Sequence, residues 1–202
     1  MNELQEQLVE ELRDLLDAEK QLTKALPKVA KVVTTPELKQ AFLKHLEETK
    51  GQVTRLEQVF QLLNQKAKSK PCKAMQGLIE ESQEHIQEGE RGELLDNMLI
   101  TAAQKVEHYE IAGYGTVCTI ARNLGMREVA GLLQETLKEE GATDKNLTAL
   151  SLQIQKQLIR KPSKQEEGED APKSKKKVSA TKKSAESPDA RDSGSVVSTD
   201  PN

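Results

Sequence analysis

Leu4, Leu8, Leu12, Leu15, Leu22, Leu26 and Val29 recur at helical spacing and draw one apolar stripe along the opening segment of the chain. The place on that stripe between Leu15 and Leu22 belongs to Glu19. The same interruption recurs along the chain: Glu48 precedes Leu56, Val59 and Leu63 in register, Glu110 lies between Val106 and Val117, and Glu140 between Leu133 and Leu147. Four helical segments therefore each turn a carboxylate toward an apolar face. An unpaired carboxylate among aliphatic side chains costs on the order of several kcal/mol or takes up a proton. No Lys or Arg shares these stripes. A fold that brings such acids into one core needs a common countercharge, and a pair of metal ions is the economical candidate.

The chain has 202 residues, enough for one ordinary domain and a tail. Its only aromatics are Phe42, Phe60, Tyr109 and Tyr114, so a core must be built from Leu, Val, Ile and Ala, which favours helix over sheet. Strand patterns are absent. The spacing predicts a first helix over 2–33 with Pro27 inside it, where a kink is expected. Thr34-Thr35-Pro36-Glu37 then supplies a threonine cap and a proline at the first helical position, opening a second helix over 36–63. A polar loop over 64–71 leads to a short helix over 73–87, punctuated by Gly89 and Gly92. A third long helix covers 93–123 with Gly125 as its stop, and a fourth covers 127–158. Two hairpins of long helices joined by a longer segment make an all-α, four-helix bundle with one crossover connection carrying a short extra helix, the layout of ferritin-like folds. The bundle is expected over 1–159. The segment 160–202 is rich in Lys, Ser, Glu, Asp and Pro and nearly without apolar residues, so a disordered tail is expected there.

No apolar run is long enough to span a bilayer, and the start of the chain is acidic and amphipathic, so a soluble, cytoplasmic protein is expected. Cys72 and Cys118 form neither a disulfide framework nor a C-x-x-C pair and read as free thiols. The Lys cluster over 173–183 could touch nucleic acid or an anionic surface, but interspersed acids favour a solubilising role. Phosphate-cradling glycine loops, nucleophile elbows and structural zinc patterns are missing.

Spacing sharpens the metal hypothesis. Glu140 and Asp144 are four apart and stack on one helix face, Glu107 and Glu110 are three apart, and Glu48 is followed one turn later by Gln52. With Glu19 this makes six acids able to converge: Glu19, Glu48, Glu107, Glu110, Glu140 and Asp144. His45 falls on a neighbouring face of the second helix, where it could ligate a metal or hydrogen-bond a ligand but reads first as an exposed or core-edge residue, while His85 lies in the crossover segment and His108 points away from the Glu107 and Glu110 face. Tyr114, one turn past Glu110, could hydrogen-bond a ligand or pass an electron but reads first as core packing, and Gly113 and Gly115 suggest a close helix contact. HLEETKGQVTRLEQV and LKEEGATDKNLTAL echo one another, as a duplicated hairpin would.

LRDLLDAEKQLTKALPKVAK, PELKQAFLKHLEETKGQVTRLEQVF, KVEHYEIAGYGT and LLQETLKEEGATDKNLT resemble the ferritin-like stress proteins of the YciE/YciF group, relatives in fold of rubrerythrin and bacterioferritin. The resemblance covers about residues 3–155. It implies a ferritin-like bundle, usually a homodimer, with a dinuclear iron or manganese site, in proteins tied to bacterial stress responses. The rubrerythrin-like ligand pattern falls on Glu19, Glu48, Glu107, Glu110, Glu140 and Asp144. Where related sites carry His, this chain has Gln52 and Asp144, which implies a harder, all-oxygen site. The expected function is Fe or Mn handling under stress, with peroxide or dioxygen as the substrate if the protein is an oxidoreductase. The alternative is a non-catalytic helical interaction or structural protein that keeps a relic of the site.

Overall fold

A computed structural model describes residues 2–160 of the chain. The expected disorder of the tail, and any contact it makes with nucleic acid or anionic surfaces, concern residues 161–202 and lie outside the described residues. Five helices follow one another: α1 (Glu3–Val32), α2 (Pro36–Leu62), α3 (Lys73–Glu88), α4 (Glu93–Asn123) and α5 (Arg127–Arg160). Among the described residues there is no strand, and no helix is long and apolar enough to cross a membrane.

Local chemistry sets the helix ends. Asn2 and Gln5 form a reciprocal capping box, each side chain accepting from the other's backbone N–H at 2.9 Å. The helix then runs through Pro27 to Val32, forgoing the hydrogen bond that the missing N–H would make. α2 and α4 end alike. Asn64 (φ 53°) and Gly125 (φ 73°) take the left-handed conformation, and the next residues, Gln65 and Met126, donate back to Phe60 and Ala121 at 2.9 Å.

The start of α2 departs from expectation. Pro36 occupies the first turn, but Thr35 makes no side-chain cap to its own helix. Both threonines turn to the buried Asp96 in the first turn of α4. The Thr34 and Thr35 hydroxyls donate to its Oδ2 at 2.8 and 2.7 Å, and their backbone N–H groups donate to the same carboxylate at 3.0 and 2.7 Å. Sequence patterning gave no sign of Asp96, because its partners lie on another hairpin.

α1 pairs with α2 and α4 with α5, while α2 packs on α5 and α1 on α4, which closes the four-helix ring. The crossover helix α3 lies outside, against α4 and α1. It begins at Cys72, whose Sγ accepts from Met75 N at 3.4 Å and sits 3.0 Å from the Tyr109 hydroxyl, which donates to Asp14. Both cysteines are buried and free. Gly113 is the close contact that the sequence suggested, since a Cβ there would lie 2.8 Å from Leu15 Cδ2, whereas Gly115 faces open space.

The apolar interior falls into two clusters. One gathers Leu22, Leu26, Phe42, Leu99, Val106, Leu147 and their neighbours at the α3 end. The other gathers Leu8, Leu12, Leu56, Phe60, Val117, Leu133 and their neighbours at the opposite end. Between them in sequence on each long helix lie buried polar side chains: Glu19 on α1, His45, Thr49 and Gln52 on α2, Glu107 and Glu110 on α4, Thr136 and Glu140 on α5.

Candidate metal centre

The layer between the two apolar clusters is where the inward acids meet. Glu19, Glu110 and Glu140 are fully buried and Glu107 nearly so. On α2 the buried line runs Leu38, Phe42, His45, Thr49, Gln52, Leu56, Val59, alternating steps of four and three. That register carries His45 and Gln52 inward and sets Glu48 beside the seam. His45, expected to be exposed or at the edge of the core, is buried; burial corrects that expectation. His45, Glu107, Glu110 and Glu140 each offer one ligand atom, and these atoms all lie within 4.8 Å of one another. An imidazole thus joins the carboxylates, where the spacing alone suggested a set of oxygens.

The six acids divide accordingly. Glu107, Glu110 and Glu140 belong to the close group, and Glu19 stands near enough for its carboxyl to raise the pKa of Glu107 and Glu110. Glu48 lies at the rim, its side chain 25% exposed and paired with Lys44, its Oε2 3.9 Å from His45 Nδ1. Asp144 is also at the rim, accepting from Gln104 Nε2 at 3.0 Å and lying 3.4 Å from His108 Nε2.

Hydrogen bonds hold the buried acids in place but leave them incompletely satisfied. Tyr114, which packs in the core as expected, donates its hydroxyl to Glu19 Oε1 at 2.5 Å. Gln52 Nε2 donates to Glu140, and at 3.0 Å to Glu139 Oε2. Glu139 is held in turn by Arg55 at 2.9 and 3.0 Å, so the nearest guanidinium is spent on the outer acid. No hydrogen-bond partner reaches Glu19 Oε2, Glu107 Oε2, Glu140 Oε2, Gln52 Oε1, His45 Nε2 or either oxygen of Glu110. His45 Nε2 does lie 3.2 Å from Glu107 Oε1, but the two are not aligned as a hydrogen bond.

Burial pushes the carboxyls of Glu19, Glu107 and Glu110 well above the usual glutamate range, and neighbouring carboxylates push them further. Glu140 is raised by burial too, with the His45 imidazole opposing the shift. Such a set holds protons when no cation is near and gives them up to one that binds. The donors therefore fit a divalent metal: buried, convergent, oxygen-rich with one imidazole, and orphaned.

The fold and the layer of acids can be set beside known proteins. The family described as "Domain of unknown function (DUF892)" matches residues 3–159. Protein YciF of Escherichia coli (strain K12) is 51% identical over 153 residues, which is 75% of this chain and 92% of YciF. The chain belongs to the YciE/YciF group of ferritin-like stress proteins. The crystal structure of the E. coli stress protein YciF superposes with a TM-score of 0.74 at 49% identity, covering 80% of this chain and 100% of that one. The Rhodopseudomonas palustris protein YcfI gives 0.70 at 40% identity over 73% of this chain and 94% of its own. A ferritin-like, diiron-carboxylate protein from Bacillus anthracis shares the fold at a TM-score of 0.59 and 19% identity, covering 75% of this chain and 99% of its own. Within this YciF-group bundle, His45 and Gln52 are the inward polar residues that apolar periodicity passed over. Continuing the line from Leu38 and Phe42 to Leu56 and Val59 would have found both.

Proposed function

We propose that this bundle is a dinuclear Fe or Mn protein of the bacterial stress response that acts on dioxygen or peroxide. The observation that carries it is the group of orphaned, buried donors from all four long helices. Glu19, His45, Glu107, Glu110 and Glu140 would hold the ions, with Glu48 and Asp144 as the outer carboxylates of the set. Bound Fe or Mn would supply one-electron redox chemistry at this place. Glu107 and Glu110 would release protons to let a cation in, while Tyr114 holds one oxygen of Glu19 and Gln52 one oxygen of Glu140, so that the other oxygen of each would remain to hold the ion. The apolar clusters on either side exclude bulk water, which strengthens each electrostatic contact. The stress-protein description of E. coli YciF and the diiron-carboxylate description of the B. anthracis protein support the setting. We place the function in the cytoplasm and in a homodimer; cell fractionation and light scattering check these.

Elemental analysis of protein purified without added metal, repeated after anaerobic Fe(II) and Mn(II) loading, tests the site. About two ions per chain are expected, as in carboxylate-bridged bundles. Glu140→Ala is expected to lose them and Glu48→Ala to keep most of them. A wild-type protein that takes up no metal in any state refutes the proposal.

A further inference from the structure

The seam between α2 and α5 carries a chain of hydrogen bonds that runs from the surface to the acid layer. Arg55, with a side chain 17% exposed, holds the 31% exposed Glu139 by two N–H groups, Nη1 to Oε2 at 2.9 Å and Nη2 to Oε1 at 3.0 Å. Its Nη1 also donates to the buried Thr136 hydroxyl at 2.7 Å, and its Nε lies 3.5 Å from Glu135 Oε2. Glu139 Oε2 accepts a second bond, from Gln52 Nε2 at 3.0 Å, and the same Nε2 donates to Glu140 Oε1. Gln52 is fully buried, and its other terminal atom, Oε1, has no hydrogen-bond partner.

An amide side chain can present either end, a donor or an acceptor, and the surrounding bonds decide which. Both Glu139 oxygens accept from Arg55, so the group that stands between Glu139 and Glu140 has to donate. Nε2 takes that place, and Oε1 is left one amide width away, beside Glu140 and without a donor. Turned round, the carbonyl would face two carboxylate oxygens at once. A buried carbonyl oxygen without a partner is rare in folded proteins. A cation is a partner it can still take, since carbonyl oxygens suit hard ions such as Mn(II).

We infer that Arg55 and Glu139 are positioning residues of the metal centre: they fix the Gln52 amide so that Nε2 holds Glu140 and Oε1 is presented as a neutral oxygen ligand. The inference rests on the metal-binding function proposed above. It adds a donor from α2 that is neither carboxylate nor imidazole, and two outer residues that act through that donor. Bonds that served only to tie α2 to α5 would show in the stability of the metal-free protein, whereas positioning shows in its affinity for metal.

Mn(II) titration of the full chain, followed by the EPR signal of the free ion, reads the dissociation constant. Glu139→Gln is expected to raise it about 10–100-fold, the usual cost of losing a group that orients a ligand. The new amide can donate to Oε1 and lets Gln52 turn round. Arg55→Met, on the other helix, is expected to raise it in the same direction. In a Gln52→Leu background either substitution should change it by less than about twofold, because the effect passes through Gln52. Crystals of the Mn(II)-loaded wild type should place Gln52 Oε1 on an ion, which also decides the matter if Gln52→Leu binds too weakly to titrate. An ion bound with Oε1 turned away overturns the inference and leaves the metal centre standing. So do wild-type affinities in Glu139→Gln and Arg55→Met, or effects that persist in full without Gln52. A wild-type protein that takes up no Mn(II) refutes the metal centre, and the inference falls with it. The two outer substitutions lie on different helices, so misfolding of one leaves the other to decide.

Discussion

Replacing Glu110 with leucine is expected to stabilise the metal-free protein and to abolish its stabilisation by metal. Glu110 is fully buried and neither of its oxygens has a hydrogen-bond partner. Burial, followed by the charges of Glu19, Glu140 and Glu107, raises its pKa well above the usual range, so the metal-free folded state favours the protonated carboxyl. Burying a polar group that gains no compensating hydrogen bond costs about 1–3 kcal/mol. Leucine has a similar volume and removes that penalty, so the metal-free variant should gain about 1–3 kcal/mol, or roughly 3–9 °C in Tm for a domain of this size. Metal reverses the order. A ligand present at about 1,000 times its Kd adds about 4.1 kcal/mol to the wild type, more than the variant's advantage. A variant without this donor gains little. Calorimetry in EDTA and in excess Mn(II) gives four melting temperatures, and the two proteins should exchange rank. A Glu110→Leu protein less stable than the wild type in EDTA would refute the reasoning, because it would mean that the carboxyl is well satisfied without metal.

Asp96→Ala should cost about 2–4 kcal/mol in urea unfolding, since four donors lose an ionised acceptor and only the more exposed ones regain water; a loss below about 1 kcal/mol would show that the contact is replaceable. The raised pKa values of Glu19, Glu107 and Glu110 make the metal-free protein hold more protons folded than unfolded above the ordinary glutamate value of 4.5. Their contribution to stability is thus full below that value and is lost as the pH climbs through the raised folded-state values. Urea midpoints in EDTA should fall as the pH is raised above 4.5, while metal affinity rises with it. Gly115→Ala should add about 0.5–1 kcal/mol, because the new methyl group meets open space and helix propensity improves; a thermal shift of the opposite sign would count against that.

The helices were legible in the sequence because long amphipathic segments, Pro36 and Gly125 leave strong local signals, and the five observed spans fall within a few residues of those expected. The acids of α1, α4 and α5 were legible for the same reason: each interrupts an otherwise apolar line. α2 was harder. Its seam carries three consecutive polar residues, His45, Thr49 and Gln52, so apolar periodicity loses its phase there and Glu48, one position from the seam, looks equally inward. Asp96 was illegible because its role exists only through Thr34 and Thr35, 62 and 61 residues away.

The donors are shared between the two hairpins, with Glu19 and His45 on α1 and α2 and Glu107, Glu110 and Glu140 on α4 and α5. Neither hairpin alone carries the full set, so a bound cation would find all its donors only after the hairpins have met. The full binding energy of a metal held as proposed would become available only once the hairpins have docked. Metal loading should therefore act on the rate of escape from the native state, slowing unfolding while leaving refolding from denaturant almost unchanged.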